Sequence, residues 1–179
     1  MLDHTRLGLM HTLSPSFSRA LVVAAAAALG LAGTGCAALI DGTHDVTMDF
    51  LVEPAGGSFH GWTQVTLDQD INTVSSAVLD GVTLQVEKPA GIADLSFLAS
   101  LTGTAVTPTA RTAVVTQTDF PKGQQIVTLN LLYYGDLHPL FQDDHTIRID
   151  WDGAIDPSFT AWPSGGIWVQ GDVQIDLNN

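Results

Sequence analysis

Between Ile167 and Leu177, every second residue is apolar or glycine: Ile167, Val169, Gly171, Val173, Ile175 and Leu177. In an extended chain these six share one face, with Trp168 on the other, whereas a helix would scatter them around its circumference. An apolar face backed by a polar one belongs to an antiparallel sheet with one side on a core and the other in water. A strand this long cannot be stable alone, so it demands partners of the same pattern elsewhere in the chain.

The partners are visible. Val46, Met48, Phe50 and Val52 alternate with Asp45, Thr47 and Asp49, until Pro54 and Gly56–Gly57 break the run. A second strand is expected over Gly61–Asp68 with Val65 and Leu67 inward, and a third through Val82, Leu84 and Val86, stopping before Pro89. Leu95, Phe97, Ala99 and Leu101 suggest a fourth, although Asp94 also suits the cap of a helical turn. Ala113–Gln117 and Ile126–Leu131 read as an antiparallel pair, and Tyr133–Phe141 as a connection with one short helical turn near Pro139. Ile147, Ile149 and Trp151 complete the set. About eight strands at this spacing predict an all-β fold, an antiparallel two-sheet β-sandwich of immunoglobulin-like or jelly-roll type. The domain is expected over 44–179, after a short tether at 36–43 and an N-terminal signal helix over 1–35.

Composition narrows the function. Beyond residue 35 the chain has only Lys88, Arg111, Lys122 and Arg148 against 18 acids, of which only Glu53 and Glu87 are glutamates. A charge near −14 excludes phosphate-backbone binding, so nucleic acid is not a partner. It equally excludes an electrostatic grip on anionic lipid. The excess of Asp over Glu suits turns and strand ends, where a short carboxylate reaches nearby amides.

The first 35 residues have a different character. An apolar run from Ala20 to Ala32, about 13 residues long, falls short of the roughly 20 that cross a bilayer core. Arg6 and Arg19 precede it, and Gly33, Thr34 and Gly35 lead into Cys36, the only cysteine. A positive flank, a short apolar core and a small-residue exit are the parts of an export signal. Thr34-Gly35-Cys36 resembles the end of the bacterial lipoprotein lipobox, with Gly33 where that family usually has Leu and with Leu31 two residues earlier. The resemblance implies diacylglyceryl transfer to the Cys36 sulfur, cleavage before it, and acylation of the new terminus. Several acyl chains exceed the two-signal threshold for stable anchoring. Ala37 stands where the family's inner-membrane retention aspartate would be, which implies the outer membrane of a bacterial envelope. Ala77–Val86, followed by Ala93–Leu98, is similar in pattern to small β-sandwich lipoproteins of Gram-negative bacteria, a likeness that implies a fold without an activity.

Candidate chemistry is sparse. Asp68, Asp70 and Asn72 alternate like the start of a calcium loop, but Thr73 and Leu79 occupy the positions where an EF-hand needs Gly and Glu. Asp150, Asp152 and Asp156 form a second oxygen-rich segment, read as a turn near Asp143-Asp144, and are the calcium candidates. His44, His60, His138 and His145 have no zinc-ligand spacing and are expected at surfaces or strand edges. Gly57-Ser58-Phe59-His60 is not a nucleophile elbow, so no catalytic residue is assigned and an enzyme is not expected. Trp62, Trp162 and Trp168 are the ligand candidates, as platforms on which sugar rings stack; the alternative for each is core filling. The leading expectation is a lipid-anchored envelope protein with a non-catalytic binding or structural role toward an envelope protein or glycan. A carbohydrate-binding module and a calcium-stabilised adhesin-like domain are the alternatives.

Overall fold

The computed structural model describes residues 41–143 and 145–179; Cys36, the expected signal segment and most of the expected tether lie outside them. Nine strands follow in order: β1 (Gly42–Val52), β2 (Ser58–Thr66), β3 (Ser76–Lys88), β4 (Leu98–Val106), β5 (Arg111–Gln117), β6 (Ile126–Thr128), β7 (Asn130–Leu131), β8 (Thr146–Ile155) and β9 (Ile167–Asn178). They form two antiparallel sheets, a four-stranded one in the order β1-β9-β3-β6 and a five-stranded one in the order β2-β8-β4-β5-β7. The expected two-sheet sandwich is what the chain adopts.

β9 is central to its sheet, paired along its length with β1 and with β3, and Ile167, Val169, Gly171, Val173, Ile175 and Leu177 are all buried. Gly171 makes room for its two cross-strand neighbours in the same sheet: a Cβ at that position would sit 2.5 Å from the Met48 Cε and 2.8 Å from the Leu84 Cδ2. Across the core, Phe50 of β1 stacks on Trp151 of β8 at 4.7 Å and on Phe59 of β2 at 6.4 Å. Three aromatic rings therefore join the two sheets at one end of the interior. The remaining gap between the sheets is about 30 Å³ and is lined by apolar side chains such as Val65, Leu79 and Ile147. That is room for about one water and too little for an organic ligand.

Two local expectations are corrected. Ile126–Leu131 is not one arm of a hairpin: β6 pairs with β3 in one sheet, while β7 pairs with β5 in the other. The buried Leu129 marks the crossing, its amide donating to the Val82 carbonyl at 2.9 Å. A strand that changes sheets makes a corner of the sandwich, and a period of two cannot distinguish it from a continuous strand. Leu95 and Phe97 likewise precede β4. Asp94 accepts from the Ser96 amide at 3.0 Å in a turn, and a bulge between Leu98 and Ser100 leaves Ala99 exposed.

The connection after β7 is pinned by one histidine. His138 places Nδ1 2.6 Å from Asp136 Oδ1 and Nε2 2.8 Å from the Ile71 carbonyl oxygen. Both partners accept, so both ring nitrogens donate and the ring is an imidazolium. The same carboxylate oxygen takes the Ala77 amide of β3 at 3.1 Å. The hydrogen bond to Asp136 raises the His138 pKa above its ordinary value, against burial. Burial pushes Asp136 upward, but the His138 hydrogen bond and the backbone amides outweigh it and lower its pKa. The histidine contribution is therefore complete below about pH 6.5 and is lost as pH rises through the raised folded value. The carboxylate contribution is present above about pH 3.9 and is lost as pH falls through the depressed one. Urea unfolding of the protein and its His138→Gln variant should differ by about 1–2 kcal/mol at pH 5.5, and the gap should be smaller at pH 8.5. An equal gap at both pH values would contradict the imidazolium assignment.

Candidate functional site

Strand register assembles the site on the outer face of the five-stranded sheet. Across β2, β8, β4 and β5, one row runs His60, Asp152, Thr102 and Thr116. The next row is Trp62, Asp150, Thr104 and Ala113, and the third is Gln64, Arg148, Val106 and Arg111. Rows two residues apart along a strand are about 7 Å from each other, and strands are about 4.8 Å apart. The patch therefore measures about 14 Å in each direction.

Asp150 organises it. On the outer side of β8, opposite the core, this carboxylate is nonetheless only 3% exposed. Arg111 donates from Nη1 to Oδ2 at 2.8 Å, and Arg148 donates from Nε to Oδ1 at 2.9 Å. Burial alone would raise the Asp150 pKa, but the two arginines outweigh it and lower it. Arg148 in turn lies over the Trp62 ring, its guanidinium carbon 5.3 Å from the centroid, a distance at which the ring quadrupole attracts the cation. Trp62 is 57% exposed. One of its faces is thus covered by a fixed cation while much of the indole stays in water. Beside it, His60 Nδ1 meets Asp152 Oδ1 at 2.7 Å, both side chains more than half exposed.

The residues read as an oxygen-rich turn do not converge. β8 runs straight through Asp150 and Asp152, and Gly153 is not a turn glycine: a Cβ there would lie 2.3 Å from Phe59 Cε1 and 2.5 Å from the Ser100 carbonyl oxygen. The Asp150 carboxylate is occupied by the two arginines, Asp152 by His60, and Asp156, beyond the strand, accepts the Ser158 amide at 2.7 Å. Among the described residues, no group of three or more His, Cys, Asp or Glu is placed to hold a metal ion.

The three tryptophans proposed as platforms separate. Trp62 is on the patch just described. Trp162 is half-buried and meets the edges of Phe97 and Phe159 at 5.7 and 5.2 Å, sealing one end of the core. Trp168 does point away from Ile167 and Val169, onto the outer face of the other sheet between Leu51 and Lys88 in register, and is 39% exposed. Trp151, a fourth tryptophan that the sequence offers for such a platform, fills the core instead. A shallow cleft of about 570 Å³ also opens at the end of the sandwich, lined by Asp119, Lys122, Asp156, Ser158 and Phe159 among others.

Both arginines of the site escaped sequence reasoning, although one signal was available. Arg148 and Asp150 are two apart on an alternating strand, so they share a face, and Arg111 and Arg148 are the only arginines after Arg19. No family model matches the chain, and no curated protein or solved structure is significantly similar to it.

Proposed function

We propose that this protein is a lipid-anchored, non-catalytic binding domain of the bacterial envelope that takes its ligand on the outer face of the five-stranded sheet. The observation that supports the binding role is Trp62, an indole left 57% exposed while a buried carboxylate and two arginines fix the cation on its other face. Leaving a large aromatic in water is unremarkable by itself. Holding it in one orientation through a buried ion pair is the preorganisation that a binding surface uses. The anchor rests on the sequence ending at Cys36.

Each half has its test. Cys36→Ala in the full chain should move the protein from the membrane pellet to the soluble fraction and abolish labelling by an alkyne fatty acid. Unchanged partitioning would remove the anchor. For the binding face, acrylamide should quench a component of the tryptophan fluorescence that Trp62→Phe eliminates. Indoles that are all protected would remove the platform.

A further inference from the structure

We infer that two copies of this chain pair through β2, antiparallel and in a register centred on Trp62, so that two five-stranded sheets join into one; this goes beyond the binding role proposed above, which concerns the face and not its edge. Gly57 accepts from the Ile155 amide and Leu67 donates to the His145 carbonyl, both at 2.9 Å. The odd-numbered residues of β2 therefore turn their main-chain groups toward β8, and the even-numbered ones turn theirs away. Ser58 uses its own on Ala55. Those of His60, Trp62, Gln64 and Thr66 point to an edge where β2 has no partner in its sheet. Natural edges carry charges, prolines or bulges, or are very short, because a bare one invites a second strand. Here β1 exposes Asp45 and Asp49, and β6 and β7 span three and two residues. β2 has nine residues, pairs with β8 without a register shift, and contains no lysine, acid or proline. Among the described strands it is the one long edge left bare.

Charge selects the occupant. The patch beside this edge sets Arg111 and Arg148 against Asp150 and Asp152, so it is balanced overall, but its charges are segregated along the strands. The Gln64 row holds both arginines, the His60 row holds Asp152, and Asp150 lies between them. A strand antiparallel about Trp62 puts His60 opposite Gln64 of the second copy, and Trp62 opposite its counterpart. Each acidic row is thereby continued by an arginine row: Asp152 and His60 of one copy, then Gln64 and Arg148 of the other. Asp152 already holds His60 Nδ1 at 2.7 Å, leaving Nε2 for the Gln64 amide across the axis. An acidic segment would suit the arginine end and oppose Asp152, and a basic one the reverse. A second copy matches both ends at once, as an isologous contact requires, and the two indoles adjoin at the axis. That axis stands perpendicular to the sheet, and β1, which leads back toward Cys36, belongs to the other sheet. One membrane can therefore anchor both copies while both Trp62 faces turn away from it.

Register-specific crosslinking of the full chain in its membranes tests the pairing. Opposed residues of a hydrogen-bonded antiparallel pair have Cα atoms about 5.5 Å apart, within disulfide reach. Gln64 and its own counterpart would be offset by four residues, about 14 Å. Co-expressed His60→Cys and Gln64→Cys chains should therefore give an oxidised dimer at least about tenfold stronger than Gln64→Cys alone, with the chain lacking an added cysteine as background. Trp62→Lys in both chains sets two positive charges opposite each other and should cut that dimer at least about tenfold. Should Trp62→Lys fail to fold by thermal melt, the pattern of the two cysteine chains decides alone. No dimer above background from folded chains overturns the pairing. Equal crosslinking by Gln64→Cys alone marks random collision and overturns the register. A crosslink to a different protein in place of the dimer overturns the second copy in favour of a foreign strand. Failure of the anchor alone would move the crosslinked dimer to the soluble fraction without dissolving it, and loss of the binding face would show in acrylamide quenching, so the readings fail separately.

Discussion

Trp151→Ala should lower the stability of the domain by about 3–5 kcal/mol, the cost of removing a large aromatic from a packed interior. Domains of this size have about 5–15 kcal/mol in total, so the variant should be close to unfolding at ambient temperature. The side chain is 1% exposed and stacks on Phe50 across the two sheets. Gly103 is shaped around it, since a Cβ there would come within 2.7 Å of Trp151 Cζ3. A ring enclosed on both sides leaves a cavity that its neighbours cannot collapse to fill. Trp151→Phe is the informative control. The indole Nε1 is buried without a hydrogen-bond partner among the described residues, a situation that costs about 1–3 kcal/mol. Phenylalanine retains the stack and removes the unpaired N–H, so its loss should be well under half that of alanine. Urea unfolding followed by far-UV circular dichroism reads both. Equal losses would mean that the indole volume, not the Phe50 stack, sets the stability.

The same tryptophan shows why the fold was legible. Ile147, Ile149 and Trp151 alternate without interruption and are buried because each faces a core that excludes water, while Asp150 between them is covered on the other face by its two arginines. β9 reads equally well, since six inward positions in succession leave no second interpretation. Legibility failed where a strand changed sheets. Val127, Leu129 and Leu131 keep a period of two while the chain passes from β3 to β5 as its partner. The period reports which side is buried but carries no information about which strand lies alongside. Gly153 misled for a related reason: glycine beside aspartate suggests a turn, whereas here the missing Cβ makes room for Phe59 and the Ser100 carbonyl.

The site was legible only in part, and the division is physical. Trp62 was recognisable because an aromatic on the polar phase of a strand must face outward. Its partners were not. Trp62, Thr104, Arg111 and Asp150 belong to four different strands and become neighbours through register, which is set by the whole sheet rather than by any local segment. In the sequence Asp150 therefore groups with Asp152 and Asp156, its neighbours along the chain, as an oxygen ligand. In the fold its neighbours are cations, and the carboxylate acts as the fixed point for two guanidiniums.

Asp150→Asn should cost about 2–3 kcal/mol and disorganise the patch together. Removing one partner of a buried ion pair typically costs 3–5 kcal/mol, but Arg111 and Arg148 keep 55% and 40% of their side chains in water. Solvent screening of the two abandoned cations reduces the loss accordingly. The pH dependence has a definite sign. The Asp150 pKa is depressed in the folded state because the two arginines outweigh its burial. Its contribution is therefore present above the ordinary aspartate value of about 3.9 and disappears as pH falls through the depressed one. The difference in unfolding free energy between the protein and Asp150→Asn should thus be constant from pH 5 to 8 and shrink in acid. Once Asp150 no longer holds its Nε, Arg148 is free to leave the Trp62 ring, so the acrylamide quenching of Trp62 should rise in the folded variant at neutral pH. A double-mutant cycle with Arg111→Gln separates the two effects, because the residues are in contact and their energies should not add. Additive losses, or an unchanged Trp62 signal, would show that the carboxylate merely fills space under the arginines rather than orienting them.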